Sequence, residues 1–195
     1  MKSISSPANL RERAGRYSAA QRRTIEAALE LFAEHGVGGT SFQMVADALG
    51  VTKAAVYHQF KTKEAIVRAV LEVELAHLED ALDVAEAGGA GPKERAALLS
   101  RVIDIAVERR RAVSTLQSDP MLVRLLRDWE PSRLLWTRLF AILVGDDLTE
   151  RARIRAAVLS AAIGSAGHGF VTDIDNETLK AELYRLTRPL VFPRG

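Results

Sequence analysis

Apolar residues recur at helical spacing along almost the whole chain, as in Ile25, Leu29 and Phe32 or Leu98, Val102 and Ala106, and no stretch alternates with period two. A chain patterned in this way buries apolar stripes of helices and has no half-buried strand to offer, so the expected fold class is all-α. Helix ends carry their usual chemistry. Ser18 with Gln21, Thr40 with Gln43 and Asp147 with Glu150 have capping-box spacing, which satisfies orphan N–H groups at a helix start. Pro92, Pro120 and Pro131 stand at first helical positions, where proline forfeits no needed hydrogen bond. These signals predict about nine helices, over 18–35, 41–48, 52–59, 63–87, 92–114, 119–128, 131–144, 148–169 and 176–190, with GGAGP at 88–92 as a loop.

Charge is distributed unevenly. Residues 1–63 carry 9 Lys and Arg against 5 Asp and Glu, whereas the rest of the chain carries 18 against 20. The basic front third is therefore the part suited to a polyanion. Residues 1–16 read as a polar, flexible basic arm (Lys2, Arg11, Arg13, Arg16) without the apolar stretch of a secretory signal. The longest apolar run, 156–171, is broken by serines, glycines and His168 and falls short of the roughly 20 residues of a membrane span. With no cysteine there is no disulfide framework to form, and a cytoplasmic location is expected.

Phe42, Val45, Ala46 and Leu49 form one stripe of a short helix that stops at Gly50, a residue suited to a left-handed turn. A second short helix follows, with Thr52 placed to cap it. At 100° per residue Lys53, Ala54, Tyr57, His58 and Lys61 share its outer face, while Ala55, Val56, Gln59 and Phe60 share the inner one. Two short helices joined by a tight glycine turn, the second with a basic and aromatic outer face, fit a major groove.

The stretch TIEAALELFAEHGVGGTSFQMVADALGVTKAAVYHQFKTKEAI, residues 24–66, resembles the DNA-binding region of the TetR family of transcriptional regulators. The resemblance is carried by Ala28, Leu31, Phe32 and Gly36 in the first helix, Thr40-Ser41 at the start of the second and Gly50-Val51-Thr52 before the third, and Tyr57, Phe60, Lys63 and Glu64 complete it. It implies a three-helix DNA-binding domain over 17–63 and a larger helical ligand-binding and dimerisation domain over 64–195. It also implies phosphate contacts by Thr40, Ser41, Thr52, Tyr57 and Lys63, and base contacts by Lys53, Ala54, Ala55 and His58. Hydroxyls, N–H groups at helix starts and lysines position a protein on phosphates, whereas side chains reaching base edges read sequence. His58 and Gln59 depart from the pattern, since the family more often has an aromatic residue followed by His there.

The resemblance further implies that the protein is a homodimeric repressor on double-stranded operator DNA, relieved by a small-molecule effector in the C-terminal part. Met121, Trp129, Trp136, Phe140 and His168 are the candidate ligand contacts, each with plain packing as its simpler role. The helices near 148–169 and 176–190 occupy the family's dimer position. The first is rich in small residues beside Ile154, Val158, Leu159 and Ile163, and Ile163 is the residue expected at the tight contact. Asp104 shares a face with Arg101, Glu108 and Arg111, the solvated side of an amphipathic helix.

An enzyme is the main competing class. The four histidines, His35, His58, His77 and His168, lack metal-ligand spacing, and no serine sits in a nucleophile-elbow context. DIDNE at 173–177 begins like a calcium loop but has Thr178 where that loop needs glycine and Tyr184 where it needs glutamate. No metal or cofactor is expected. A helical carrier without DNA function is a third class, which leaves the front 63 residues unexplained.

Overall fold

The computed structural model describes residues 9–145 and 149–193, and among them every regular element is helical. The elements are α1 (Leu10–Gly15), α2 (Ala19–Gly39), α3 (Phe42–Leu49), α4 (Lys53–Gln59), α5 (Lys63–Ala87), α6 (Pro92–Glu108), α7 (Arg110–Ser118), α8 (Pro120–Asp128), α9 (Glu130–Val144), α10 (Glu150–Gly164) and α11 (Asn176–Val191). Two single 3-10 turns, Ser165–Gly167 and Gly169–Val171, join α10 to α11.

The caps explain most of the boundaries. Ser18 and Gln21 form the reciprocal capping box at the start of α2. Thr52 accepts the Ala55 N–H at the start of α4, and Gly50 closes α3 in the left-handed conformation, at φ 65°. Thr40 does not cap α3; its neighbour Ser41 does, accepting the Met44 N–H at 3.2 Å. The expected Asp147–Glu150 box falls outside the described residues at its first member, and the cap of α10 is Thr149, which accepts from Ala152.

Two differences raise the helix number from about nine to eleven. The chain is helical already from Leu10, where a flexible arm was expected, because Leu10 and Ala14 are buried and Asn9 caps the turn by accepting the Arg11 N–H. The helix expected over 92–114 breaks at Arg109 (φ −111°, ψ 31°) into α6 and α7. Beside that break the Arg110 guanidinium donates to the carbonyls of Val171, Thr172 and Ile174 and to the Asn176 side chain, which fixes the turn leading into α11.

The chain divides into two compact units. The first comprises residues up to His77 together with Thr115–Pro131. Its core gathers Ile25, Ala28, Phe32 and Val37 of α2, Val45 and Ala46 of α3, Val56 of α4, Ile66, Val67, Val70 and Leu71 of α5, and Leu122 of α8. The unit holding the helix-turn-helix thus runs past residue 63 and recruits a segment that begins 38 residues beyond His77, a long-range association that leaves no local signal in the sequence. The second unit comprises Leu78–Ser114 and the chain from Ser132 onward. There α6, α10 and α11 pack on one another around Leu98, Leu99, Val102, Leu159, Leu179 and Leu183. Full burial of each such side chain contributes roughly 1.5–3 kcal/mol. Arg138 on α9 pairs with Asp83 and Glu86 of α5 at 2.8 and 2.7 Å, and its pKa is held above the ordinary range, chiefly by the hydrogen bond to Glu86. No helix among the described residues is long and apolar enough to cross a membrane.

Candidate nucleic-acid interface

The inner face of α4 is set by packing. Val56 is fully buried, Phe60 just beyond the helix is nearly so, and Ala55 and Gln59 are half-buried. The Thr24 hydroxyl on α2 lies 2.8 Å from Gln59 Oε1, tying the last turn of α4 to α2. Gln59 is therefore occupied within the unit, a role consistent with its place on the inner face. With that side fixed, Lys53, Ala54, Tyr57, His58 and Lys61 are left in solvent together. Tyr57 is 54% exposed. Its ring leans on Phe42 of α3 at 5.9 Å between centroids, and the Lys61 ammonium stands 5.3 Å over it. Such contacts hold a tyrosine's orientation while its hydroxyl remains at the surface.

The remaining candidates are placed less uniformly. Ser41 and Thr52 are exposed at the starts of α3 and α4, where a helix presents unsatisfied N–H groups and the positive end of its dipole. Thr40 is only 3% exposed, and its hydroxyl lies within hydrogen-bond reach of the carbonyls of Gly36 (2.9 Å) and Leu31 (3.2 Å). Its backbone N–H also donates to Gly36. Both of its donors are used internally, so the structure assigns Thr40 to the turn and not to the exposed set. Lys63 donates from Nζ to the carbonyls of Val37 at 3.0 Å and Gly38 at 3.3 Å. An ammonium has three donors, so one remains for a phosphate. Ala55, expected to read bases, sits at the edge of the inner face.

A polar cluster behind α4 went unread in the sequence. Glu72 of α5, almost completely buried, accepts from the Tyr17 hydroxyl at 2.5 Å and from Arg13 at 3.4 Å. Burial, followed by the hydrogen bond to Glu72, pushes the Tyr17 phenol well above its ordinary range. Tyr17 also leans on Phe60, at 6.1 Å between ring centroids. Glutamate on a long helix looks solvated by composition, and only its partners on α1 and before α2 show otherwise.

The five expected ligand contacts are divided between the two units. Trp136 and Phe140, one turn apart on α9, stack at 5.9 Å in the second unit, both half-buried. Trp129 packs instead against the core of the first unit, and Met121 of the same unit is exposed. His168 is exposed between the two 3-10 turns. No group of three or more metal-ligating side chains is found among the described residues.

The comparisons agree with this geometry. Residues 25–70 match the family model described as bacterial regulatory proteins, tetR family. No curated protein matches the chain. Among solved structures, a TetR-family transcriptional regulator from Bordetella parapertussis 12822 is 20% identical with a TM-score of 0.68, over 88% of this chain and 95% of that one. A bacterial regulatory protein in the tetR family from Rhodococcus RHA1 is 21% identical with a TM-score of 0.64, over 90% and 98%. A transcriptional regulator of the TerR/AcrR family from Aquifex aeolicus VF5 is 18% identical with a TM-score of 0.66, over 87% and 98%. These likenesses show the fold along nearly the whole chain, and residues 25–70, which hold the helix-turn-helix, are similar to the segment described by the tetR family model.

Proposed function

We propose that the protein is a homodimeric repressor that binds an approximately palindromic operator and leaves it on binding a small, largely apolar effector. The observation that carries this reading is the division of α4, whose inner face is packed and whose outer face exposes Lys53, Ala54, Tyr57 and His58. In this reading Lys53, Ala54 and His58, with Ala55 at the edge, read bases in the major groove. Ser41, Thr52, Tyr57 and the third donor of Lys63 hold phosphates. DNA binding belongs to the front of the chain, effector binding and dimerisation to the back, and the working compartment is the cytoplasm, where a bacterial chromosome lies.

Dimerisation is supported by α10, on which Ile154, Ala157, Val158 and Ala161 form an exposed stripe at helical spacing, with Leu186 exposed on α11. Small residues permit close helix approach, and a self-complementary stripe is what a two-fold dimer requires. Effector binding is supported by the half-buried Trp136–Phe140 stack, an apolar surface of the kind that lines ligand cavities. Selection of bound duplexes from a random pool tests the central reading. The expected result is a consensus with two inverted half-sites, and a protein that enriches no sequence would overturn it. For the effector, operator DNA and ligand must weaken each other by the same factor at equilibrium. Equal ligand affinities with and without operator would remove that part alone.

A further inference from the structure

We propose that Asp119, remote from the helix-turn-helix in sequence, is a positioning residue for DNA reading that fixes the turn between α2 and α3. The inference rests on the reading of α3 and α4 as the DNA-contacting pair. Helix α2 is interrupted at Gly36, whose φ of 71° and ψ of 163° end the regular turn. The interruption strips Val37 of its place in the helical ladder, and its N–H is buried with the rest of the residue. A buried N–H without a partner is costly. Asp119 supplies the partner: its Oδ2 accepts the Val37 N–H at 2.7 Å, across 82 residues of sequence.

The same carboxylate has a second task. Its Oδ1 accepts the N–H groups of Met121 (2.9 Å) and Leu122 (3.2 Å), which makes Asp119 the N-cap of α8. One oxygen thus caps a helix and the other holds a turn of the DNA-binding unit. Gly36 is needed for its positive φ; a Cβ there would meet Oδ2 only in ordinary contact, at 3.4 Å. The opposite side of the turn is held by Lys63, whose ammonium takes the Val37 carbonyl. Negative charge on the N–H and positive charge on the C=O of the same residue clamp it from two directions, and charge-assisted hydrogen bonds of this kind are stronger than neutral ones. Four residues beyond Val37 lies Ser41, the exposed cap of α3, which is connected to the clamp through the Thr40-to-Gly36 hydrogen bonds. The orientation of Ser41 and of the first turn of α3 therefore follows the position of α8.

The two roles of Asp119 separate by side-chain length. Serine is a good N-cap but too short to reach Val37, so Asp119→Ser keeps the cap of α8 and deletes the clamp, whereas Asp119→Ala deletes both. Three quantities are measured on the full-length chain: thermal stability, amide hydrogen exchange at Val37, and affinity for a duplex enriched by the wild-type protein from a random pool. Asp119→Ser is expected to stay folded with a melting temperature near that of wild type. Its Val37 amide exchanges faster, and its duplex affinity falls about tenfold with the salt slope and selected consensus unchanged. A variant that binds and exchanges like wild type overturns the proposal. So does a wild-type Val37 amide that exchanges as fast as those of Gly38 and Gly39, a result that does not depend on any variant folding. Failure of the wild type to enrich any duplex would instead sink the DNA-binding reading and leave the exchange result to judge the clamp.

Discussion

Thr24, fully buried on α2, places its hydroxyl 2.8 Å from Gln59 Oε1 at the end of α4 and 3.2 Å from the Ala20 carbonyl. It is a side-chain tie between α4, with its exposed outer face, and the scaffold behind it. Thr24→Val keeps the shape and removes the hydroxyl, leaving the Gln59 amide half-buried without that partner. The expected cost is about 1 kcal/mol of stability and a several-fold loss of operator affinity. The number of phosphate contacts does not change, so the slope of affinity against salt should remain that of wild type. Filter binding at a series of salt concentrations, with a denaturant titration alongside, measures both; a changed slope would show that the tie acts on charge contacts and not on helix orientation.

The two lysines of the interface should separate in the same assay. Lys53 is exposed on the outer face of α4 and has no role in packing, so Lys53→Ala is expected to leave stability unchanged and relax preference at one base position, at a cost of roughly 1–3 kcal/mol in operator binding. Lys63 spends two of its donors on the carbonyls of Val37 and Gly38. Lys63→Ala should therefore lower stability as well as affinity, and reduce the salt slope by about one unit per subunit if the third donor reaches a phosphate. A destabilised Lys63→Ala protein with the wild-type slope would confine Lys63 to the turn.

What was legible in the sequence is what local chemistry writes there. The stripes of α3, the two faces of α4, the Gly50 turn and the Ser18–Gln21 cap each depend on residues within a few positions of one another, and each is found where periodicity put it. By residue type Thr40 and Ser41 are equally good caps for α3, and only the backbone path decides that Ser41 takes the role. The break at Arg109 involves neither glycine nor proline, so no local signal marks it. The tertiary pairings are out of reach for a different reason: Asp119 with Val37, and Glu72 with Tyr17 and Arg13, join residues tens of positions apart, and Asp119, Glu72 and Arg13 look like ordinary surface residues by type.

Acid sensitivity should show at the start of α11. Asp175 caps that helix by accepting the Thr178 N–H at 3.0 Å, and hydrogen bonds led by that one hold its pKa below the ordinary value of 3.8. A carboxylate lowered in the folded state contributes stability that is complete above its unfolded pKa and is lost as pH falls through the folded one. Serine caps without titrating. The stability difference between wild type and Asp175→Ser should therefore be constant near neutrality and shift in favour of the serine variant as pH drops from about 5 to about 2. Urea titrations at both ends of that range check it, and a difference independent of pH would assign the cap no charge contribution.

The sequence places Ile163 at the dimer contact, and the structure turns that residue inward: Ile163 is 9% exposed and Leu159 fully buried, whereas Ile154 and Val158 are 63% and 48% exposed. An alanine-rich helix has weak facial contrast, so composition did not reveal which stripe faces out. The correction changes the test. Ile163→Arg would force a charge into the second unit's own core and unfold it, which says nothing about association. Val158→Arg instead places the charge where a single chain meets water, at little cost to the folded monomer, but opposite its own symmetry copy in a two-fold α10 contact, where like charges repel and desolvation is unpaid. The expected outcome is a folded, helical monomer in sedimentation at a concentration where wild type is a dimer. Operator affinity should fall steeply, because the two half-sites are then bound independently and the gain from effective concentration is lost. A Val158→Arg protein that sediments as a dimer and binds operator like wild type would place the dimer contact elsewhere than on the exposed stripe of α10.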